Sequence, residues 1–377
     1  MNHAIVSLIL LAVLLAGCTA NQPVPPAPTP GVTVPPDGTA YGTGVPSEKA
    51  LTVHFIDVGQ ADAILVQMPN GKSMLVDAGN PDSARTLVSY LKAHNVSALD
   101  AVVITHAHND HIGGMEAVLR TFEVGTFVDS GYELDSEECT EMLGIVDGNH
   151  IPYRIVRAGD RIGIDSDVRI DVLNPPRGTV PLDEVNENSV VLKVRYGGVG
   201  FLLMGDAENR TEEMLLASGQ ELSSTFIKVG HHGSAYAATA PFLAEVEPAA
   251  AVISVGAANG YGFPAAKTLN RLSAAGSKVF RTDLDGTIVV TTDGHAYTVS
   301  CEKGCSSTTL PGYSPNLSIP GPQYTYSFTC DCSENKYNCT DFPNRTIAQA
   351  CYDFCISKGK GDVYHLDSDK DGRACLY

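Results

Sequence analysis

Ile104-Thr-His-Ala-His-Asn-Asp-His-Ile-Gly-Gly114 gathers three histidines and an aspartate, His106, His108, Asp110 and His111, within six residues. Ala101 to Ile104 before it is an apolar run of strand length. Gly113-Gly114 followed by Met115, Val118 and Leu119 predicts a helix over 113–121. The cluster therefore sits on a strand-to-helix loop, where a rigid scaffold places its chemistry. Imidazole and carboxylate together suit zinc, manganese or iron. His106 and His108, two apart, can converge on one ion from a turn, while Asp110 and His111 can face a second ion beside it. A polar loop merely rich in histidine is the bland alternative, and this spacing after an apolar run speaks against it.

Upstream, Leu51–Asp57, Asp62–Gln67 and Ser73–Asp77 read as three strands with tight turns, Pro69-Asn70-Gly71 among them. Asp57, Gln60 and Asp62 cluster at the first turn, and Asp77 closes the third strand. Carboxylates at strand ends either orient ligating histidines through their second nitrogen or serve turn chemistry alone. A helix over 83–94, the strand before the histidine loop, and further strands at 124–128, 153–156 and 168–173 around a helix at 135–147 continue the alternation. His150, in Gly-Asn-His-Ile-Pro152, reads as an exposed turn residue. A second series follows: strands 190–196 and 199–204, helix 208–218, strand 226–229, helix 239–247, strand 249–254, helix 265–275, strand 278–281 and two closing strands. Two βα series predict an α/β fold, a four-layer αββα sandwich.

The second series has polar strand ends of its own. Asn188, in Asn186-Glu-Asn-Ser189, either hydrogen-bonds into a site or shapes a turn. Asp206, after Met204-Gly, either bridges two ions through both oxygens or caps helix 208–218. Phe226-Ile-Lys-Val229 runs into Gly-His-His-Gly-Ser234. Adjacent residues on a strand point opposite ways, so only one histidine ligates directly. His232 is the favoured ligand and His231 its substrate-side partner, with the reverse left open. Lys228 and Ser234 are candidates to contact an anionic substrate; a surface lysine is the alternative for Lys228.

These motifs together resemble the metallo-β-lactamase superfamily, through His-x-His-x-Asp-His. Phe55-Ile-Asp-Val-Gly-Gln-Ala-Asp-Ala-Ile64, Asn186-Glu-Asn-Ser189, Met204-Gly-Asp206 and Lys228-Val-Gly-His-His-Gly-Ser234 narrow the match to the hydrolase domain of ComEC-type competence proteins and its secreted relatives, over roughly residues 50–300. The resemblance implies the same αββα sandwich and a metal site of His106, His108, Asp110, His111, Asp206 and His232. It also implies Asp62 and Asp77, with Asp57 and Asn188 as further candidates, behind those ligands. Two features depart from the wider pattern. The lone histidine ligand that many superfamily members take from the middle of the chain has no counterpart except His150. Phe263, in Asn259-Gly-Tyr-Gly-Phe-Pro264, stands where relatives commonly carry histidine.

The flanks are unlike the domain. Ala4–Ala16 is a short apolar run ended by Leu15-Ala-Gly-Cys18, which resembles a lipoprotein signal: residues 1–17 removed and Cys18 lipidated, anchoring the protein to the outer face of a membrane. An ordinary secretory signal is the alternative. Residues 18–48 are proline-rich and read as an extended tether. The hydrolase domain occupies 49–300, residues 301–323 read as a linker with a small Cys301–Cys305 loop, and 324–377 as a small disulfide-rich module. Six of the ten cysteines fall in that module, which indicates an oxidising, extracytoplasmic compartment. The module resembles the excalibur domain, which implies pairing of Cys339 with Cys375 and contact with cell wall or matrix. Asp367, Asp369 and Asp371, with Gly372, have the spacing of the first half of an EF-hand loop and are candidate calcium ligands. Position 12 of such a loop would lie one residue past Tyr377, so the acidic turn lacks that ligand or takes it from Asp362 or the terminal carboxylate.

The 377 residues carry a net charge of −18, which excludes wholesale electrostatic binding of nucleic acid. The leading expectation is a metal-dependent hydrolase with two divalent ions, zinc or manganese, and a metal-activated water. Asp110, His231 and Lys228 would do the catalytic work, and the ComEC-type resemblance favours a phosphodiester, single-stranded or short nucleic acid. An ester, lactone or β-lactam substrate is the enzymatic alternative, and a cell-surface binding protein with a vestigial metal site is the non-enzymatic one.

Overall fold

The computed structural model describes residues 49–132, 135–178 and 184–305. The signal, the tether, Cys18, the calcium candidates Asp367, Asp369 and Asp371, and Cys339 and Cys375 lie outside the described residues. In chain order the first half is β1 (Leu51–Phe55), β2 (Ile64–Gln67), β3 (Ser73–Val76), α1 (Ala84–Ala93), β4 (Ala98–Leu99), β5 (Ala101–Val103), α2 (Asn109–Ile112), α3 (Met115–Thr121), β6 (Glu123–Val124), β7 (Phe127–Asp129), α4 (Glu137–Gly148) and β8 (Tyr153–Ile155). The second half is β9 (Val168–Asn174), β10 (Val191–Tyr196), β11 (Val199–Leu203), α5 (Asn209–Ala217), β12 (Phe226–Lys228), α6 (Ala240–Val246), β13 (Ala250–Ile253), α7 (Ala266–Ala274), β14 (Lys278–Arg281) and α8 (Thr282–Asp285). Last come β15 (Ile288–Thr292) and β16 (Tyr297–Cys301).

One large sheet runs β16-β15-β1-β2-β3-β5-β7-β8 and the other β14-β13-β12-β11-β10-β9, while β4 and β6 pair in a separate two-stranded sheet. Side chains alternate across each strand, and both faces are apolar, which is why these strands read as near-continuous hydrophobic runs. Met74 and Val76, Ala101 and Val103, Phe201 and Leu203, Ala250 and Val252 point into the core between the sheets. Leu75 and Val102 point outward against Leu87 and Leu91 of α1 and Met115 and Val118 of α3. Leu202, Ile227 and Ala251 point outward against Leu215, Phe242 and Leu272 of α5, α6 and α7. The result is the expected four-layer αββα sandwich of the metallo-β-lactamase type.

β3, β5 and β7 run parallel, as do β11, β12, β13 and β14. Asp77, the His106–His111 cluster, Asp206 and the His231–His232 pair follow the carboxyl ends of these parallel strands, where open α/β sheets put their crevices. Three local expectations shift. Helix formation after the histidine loop begins at Asn109 and breaks at the paired glycines before α3. His231 and His232 lie in a tight 3₁₀ turn at φ 43° and 51°, so turn geometry, not strand alternation, sends their rings apart. The domain also runs past residue 300: β16 ends at Cys301, Glu302 N–H donates to the Thr287 carbonyl (2.9 Å), and Cys301 is disulfide-bonded to Cys305. Among the described residues no helix is long and apolar enough to cross a membrane.

Behind α1 lies a buried polar contact. His54 Nδ1 meets the Tyr90 hydroxyl at 2.8 Å and Nε2 meets Gln67 Oε1 at 3.1 Å, with the His94 ring edge-on at 5.0 Å. Burial, aided by His94, holds His54 down at about 4 despite the Gln67 hydrogen bond. The unfolded chain protonates this ring near 6.5, the folded protein only near 4. Its contribution to stability is therefore complete above pH 6.5 and is lost as pH falls through 4, by up to ~1.4 kcal/mol per pH unit. Urea unfolding between pH 7 and 4 should show a shallower loss for His54→Gln than for the parent; parallel curves would remove His54 from the acid response.

Candidate metal centre

Asp77 begins the site. It sits at the end of β3 in a left-handed conformation (φ 58°) and accepts the Thr105 N–H (2.8 Å), the Thr105 hydroxyl (2.7 Å) and His111 Nδ1 (2.7 Å). Because the carboxylate takes the His111 Nδ1 proton, the His111 Nε2 lone pair faces the other way. The Thr105 hydroxyl, its own proton given to Asp77, accepts from His106 Nδ1 at 3.1 Å. That leaves the His106 Nε2 lone pair facing His108 Nδ1, 3.1 Å away. His232 Nδ1 donates to the Ser254 carbonyl (2.9 Å), so its Nε2 also faces inward, 3.1 Å from Asp110 Oδ2. One carboxylate, one hydroxyl and one carbonyl thus fix three imidazole tautomers, all with lone pairs turned to a common centre.

Asp206 occupies that centre. Its Oδ1 is 3.3 Å from His111 Nε2, and its Oδ2 is 3.8 Å from His106 Nε2, 3.7 Å from His232 Nε2 and 3.9 Å from His231 Nε2. The Ser189 hydroxyl holds the Asp206 backbone N–H at 3.1 Å. Gly205 precedes it at φ 56°, where a Cβ would stand 2.8 Å from Thr105 Cβ. Gly230 allows the equally close approach of the next loop, since a Cβ there would meet the Ala207 carbonyl oxygen at 2.0 Å. Asp110, His111, Asp206 and His232 each offer an atom within 4.8 Å of the others. His106 lies beside them, its ring 4.1 Å from that of His111, and His108 lies against His106 at 4.8 Å.

This donor set fits a divalent cation. His111 Nε2 and Asp206 Oδ1 are buried with no hydrogen-bond partner, a costly arrangement that a shared positive ion would relieve. The electrostatics demand the same. Burial should raise the Asp206 carboxyl, yet the surrounding imidazoles hold it well below the usual range. Burial should lower His232, yet Asp206, Asp110 and Asp62 push it up to about 10: in the absence of an ion these carboxylates draw a second proton onto Nε2, the position a divalent cation would take instead. The imidazole nitrogens and carboxylate oxygens suit zinc, manganese or iron.

The other expected residues divide. Asp62 is fully buried; its Oδ2 pairs with Lys228 Nζ at 2.8 Å and its Oδ1 lies 3.4 Å from His232 Nδ1. Burial raises its carboxyl, but Lys228 and His232 outweigh that and hold it at about 2. Lys228 is itself wholly buried and also donates to the Val229 carbonyl (2.8 Å), so its charge meets Asp62 inside the protein and not the open face. Asp57 is not brought to the cluster: it accepts the Gly59 N–H and pairs with Lys303 at 3.0 Å, closing the turn after β1. Asn188 Nδ2 donates to the Glu184 carbonyl (2.8 Å) within its own turn. His150 is exposed where α4 ends.

His231 stands half-exposed at the mouth. Its Nδ1 meets Glu208 Oε1 at 2.7 Å, and that same oxygen accepts the Ser234 hydroxyl. Burial lowers its pKa, but Glu208 and Asp206 outweigh burial and raise it. Thr105, Ser189, Glu208 and Ser254 went unread in the sequence. Thr105 and Ser189 lie inside quoted motifs, but a serine or threonine there carries no sign of what it holds.

A model of the metallo-beta-lactamase superfamily matches residues 56–257. ComE operon protein 3 of Bacillus subtilis is 30% identical over 253 residues, covering 63% of this chain and 32% of that protein. Competence protein ComA of Neisseria gonorrhoeae is 34% identical over 246 residues, covering 64% of this chain and 32% of that protein. The chain thus spans about a third of the length of these relatives. Among solved structures, CmlA, a diiron beta-hydroxylase from Streptomyces venezuelae, superposes with a TM-score of 0.43 at 15% identity, covering 66% of this chain and 55% of that one.

Lys228→Met leaves Asp62 charged, buried and unpaired, and should cost about 3–5 kcal/mol in denaturant unfolding. The double variant Asp62→Asn/Lys228→Met should recover much of that loss; a single variant as stable as the parent would show the pair to be dispensable. Asp206→Asn should lower the ions bound per chain in elemental analysis while the far-ultraviolet circular dichroism stays native.

Proposed function

The chain belongs to the metallo-beta-lactamase superfamily, and we propose that within it this protein is a metal-dependent phosphodiesterase acting on short or single-stranded nucleic acid outside the cytoplasm. The observation that carries the reading is Asp206, both of whose oxygens face imidazole nitrogens at the meeting point of His106, His111 and His232. Divalent ions held by such a set supply a water of lowered pKa and neutralise charge that develops on a phosphoryl group.

The chain's own residues do the rest. Asp110, a third exposed on its side chain, reaches the mouth and can accept the proton of an attacking water while His232 orients it. Burial raises the Asp110 carboxyl, but His232 and His111 outweigh burial and hold it low, so it is an acceptor at neutral pH. His231, whose pKa Glu208 and Asp206 raise against the effect of burial, is placed to donate a proton to the leaving oxygen. Lys228, buried on Asp62, acts by keeping Asp62 charged beside His232 and so fixing that ring, which revises its expected part in substrate contact.

The phosphodiester choice draws on the competence-protein relatives and on charge. Residues 49–300 hold 18 lysines and arginines against 32 aspartates and glutamates. A long duplex would be repelled by that surface, whereas a short strand meets mainly the site itself. Attachment to the outer membrane face through Cys18 is part of the proposal and rests on the N-terminal sequence alone.

Metal-stripped protein, reloaded with manganese or zinc, should hydrolyse bis(p-nitrophenyl) phosphate and short single-stranded DNA. His108→Ala should lose on the order of 100-fold or more in kcat. Ions bound without phosphodiester turnover would move the reading to esters, lactones or β-lactams. No ion bound, with His106→Ala and Asp110→Ala both harmless, would leave a binding protein.

A further inference from the structure

Beside the metal centre the chain carries an aromatic feature with no part in binding ions. Phe263 packs edge-on to His231, ring centroids 5.3 Å apart at 71°. Tyr261 stacks on Phe263 at 5.7 Å and 18°. Phe263 is rooted against the outer core of the second sheet. Tyr261, in contrast, is 73% exposed. A large ring so exposed forgoes the burial that normally stabilises it, although a stack of two rings is already in place beneath it.

The segment that presents Tyr261 is held in shape. Asn259 Nδ2 donates to the Gly256 and Phe263 carbonyls (3.0 and 2.7 Å), and Asn259 Oδ1 accepts the Tyr261 and Phe263 N–H groups (3.2 and 3.0 Å). Gly256 N–H donates to Gln60 Oε1 at 3.0 Å, tying the segment to the turn after β1. Ala258, at φ 52°, is kept in a conformation that alanine alone does not favour. One side chain therefore closes the whole segment on itself, and the cost of ordering it is met before any ligand arrives.

We propose that Tyr261, backed by Phe263, is a stacking platform for a nucleobase of single-stranded nucleic acid, next to the phosphodiester at the metal centre. The inference rests on the phosphodiesterase reading and supplies what that reading lacks. The acidic surface offers little Coulombic attraction along a strand. Stacking is neutral, tolerant of sequence, and open only to bases outside a duplex. The ring pair ends on His231, whose Nε2 lies 3.9 Å from Asp206 Oδ2, so a base on Tyr261 would lie within reach of the candidate metal centre. Phe263 then has a use: it joins the platform to the site.

Two readings of the full-length protein test this. In the first, a short single strand containing 2-aminopurine is titrated in chelator, where nothing is cleaved. The parent and Tyr261→Phe should quench the base fluorescence with similar affinity, and Tyr261→Ala should bind at least about fivefold more weakly. In the second, manganese-loaded protein cleaves a short thymidine strand and a strand of the same length and charge with abasic positions. Tyr261→Ala should raise KM for the base-bearing strand at least about fivefold more than for the abasic one, with kcat moving less than KM. Equal quenching by the parent and Tyr261→Ala, or equal KM changes on the two strands, would overturn the platform while phosphodiester cleavage stood. Quenching lost in Tyr261→Ala with no strand cleaved would uphold the platform and overturn the phosphodiesterase.

Discussion

A carboxylate buried among histidines is the constraint on which this structure turns. Asp206 is 1% exposed, and both of its oxygens point at imidazole nitrogens contributed by the loops after β5 and β12. An ionised group taken out of water needs opposite charge or several donors close by. The fold meets that need by drawing loops of both sheets onto one point. The Val190 N–H donates to the Thr105 carbonyl (2.8 Å), the Ser189 hydroxyl accepts the Asp206 N–H, and the His231 N–H donates to the Gly205 carbonyl (3.2 Å). The site is thus the seam where two sheets with separate outer cores are joined at one edge.

How much of this was legible follows from how far each signal travels along the chain. His106, His108, Asp110 and His111 are a local pattern, and the apolar strand before them fixes their place on a loop. The layers were legible because strands with apolar residues on both faces, alternating with amphipathic helices, have few ways to bury themselves. Lys228 was harder. Its partner Asp62 lies 166 positions away, and nothing in either neighbourhood says whether a lysine at a strand end faces solvent or a carboxylate. Asp57 and Asp62 read alike, five residues apart on one turn, yet one closes that turn against Lys303 and the other runs into the core. The histidine pair misled on geometry, since a Gly-His-His-Gly run can extend a strand as well as fold into the left-handed turn it adopts.

The charge balance sets what the centre can receive. The domain is acidic overall, so the favourable potential for an anion is confined to the immediate surroundings of bound ions. A ligand bearing many phosphates gains little beyond those nearest the centre and pays repulsion for the rest. Contacts that carry no charge then weigh more, and beside His231 stand Phe263, edge-on to it, and Tyr261 stacked on Phe263.

The three buried carboxylates near the centre are not equivalent, and the difference identifies the one made for a cation. Asp62 has Lys228 Nζ 2.8 Å from its Oδ2, although its Oδ1, like that of Asp206, has no hydrogen-bond partner. Asp77 is met by a backbone N–H, a hydroxyl and His111 Nδ1, three donors from the chain itself. Asp206 has neither: its Oδ1 has no hydrogen-bond donor, and the imidazoles around it present nitrogens whose protons are committed elsewhere, to Asp77, Thr105 and the Ser254 carbonyl. Acceptors facing an acceptor repel unless something positive lies between them. The same hydrogen bonds that satisfy Asp77 therefore turn acceptor nitrogens towards Asp206, and they do so through the tautomers of His106 and His111. A protein built only for stability would have placed a lysine or an apolar residue there, as it has done at Asp62 and along the sheets on either side.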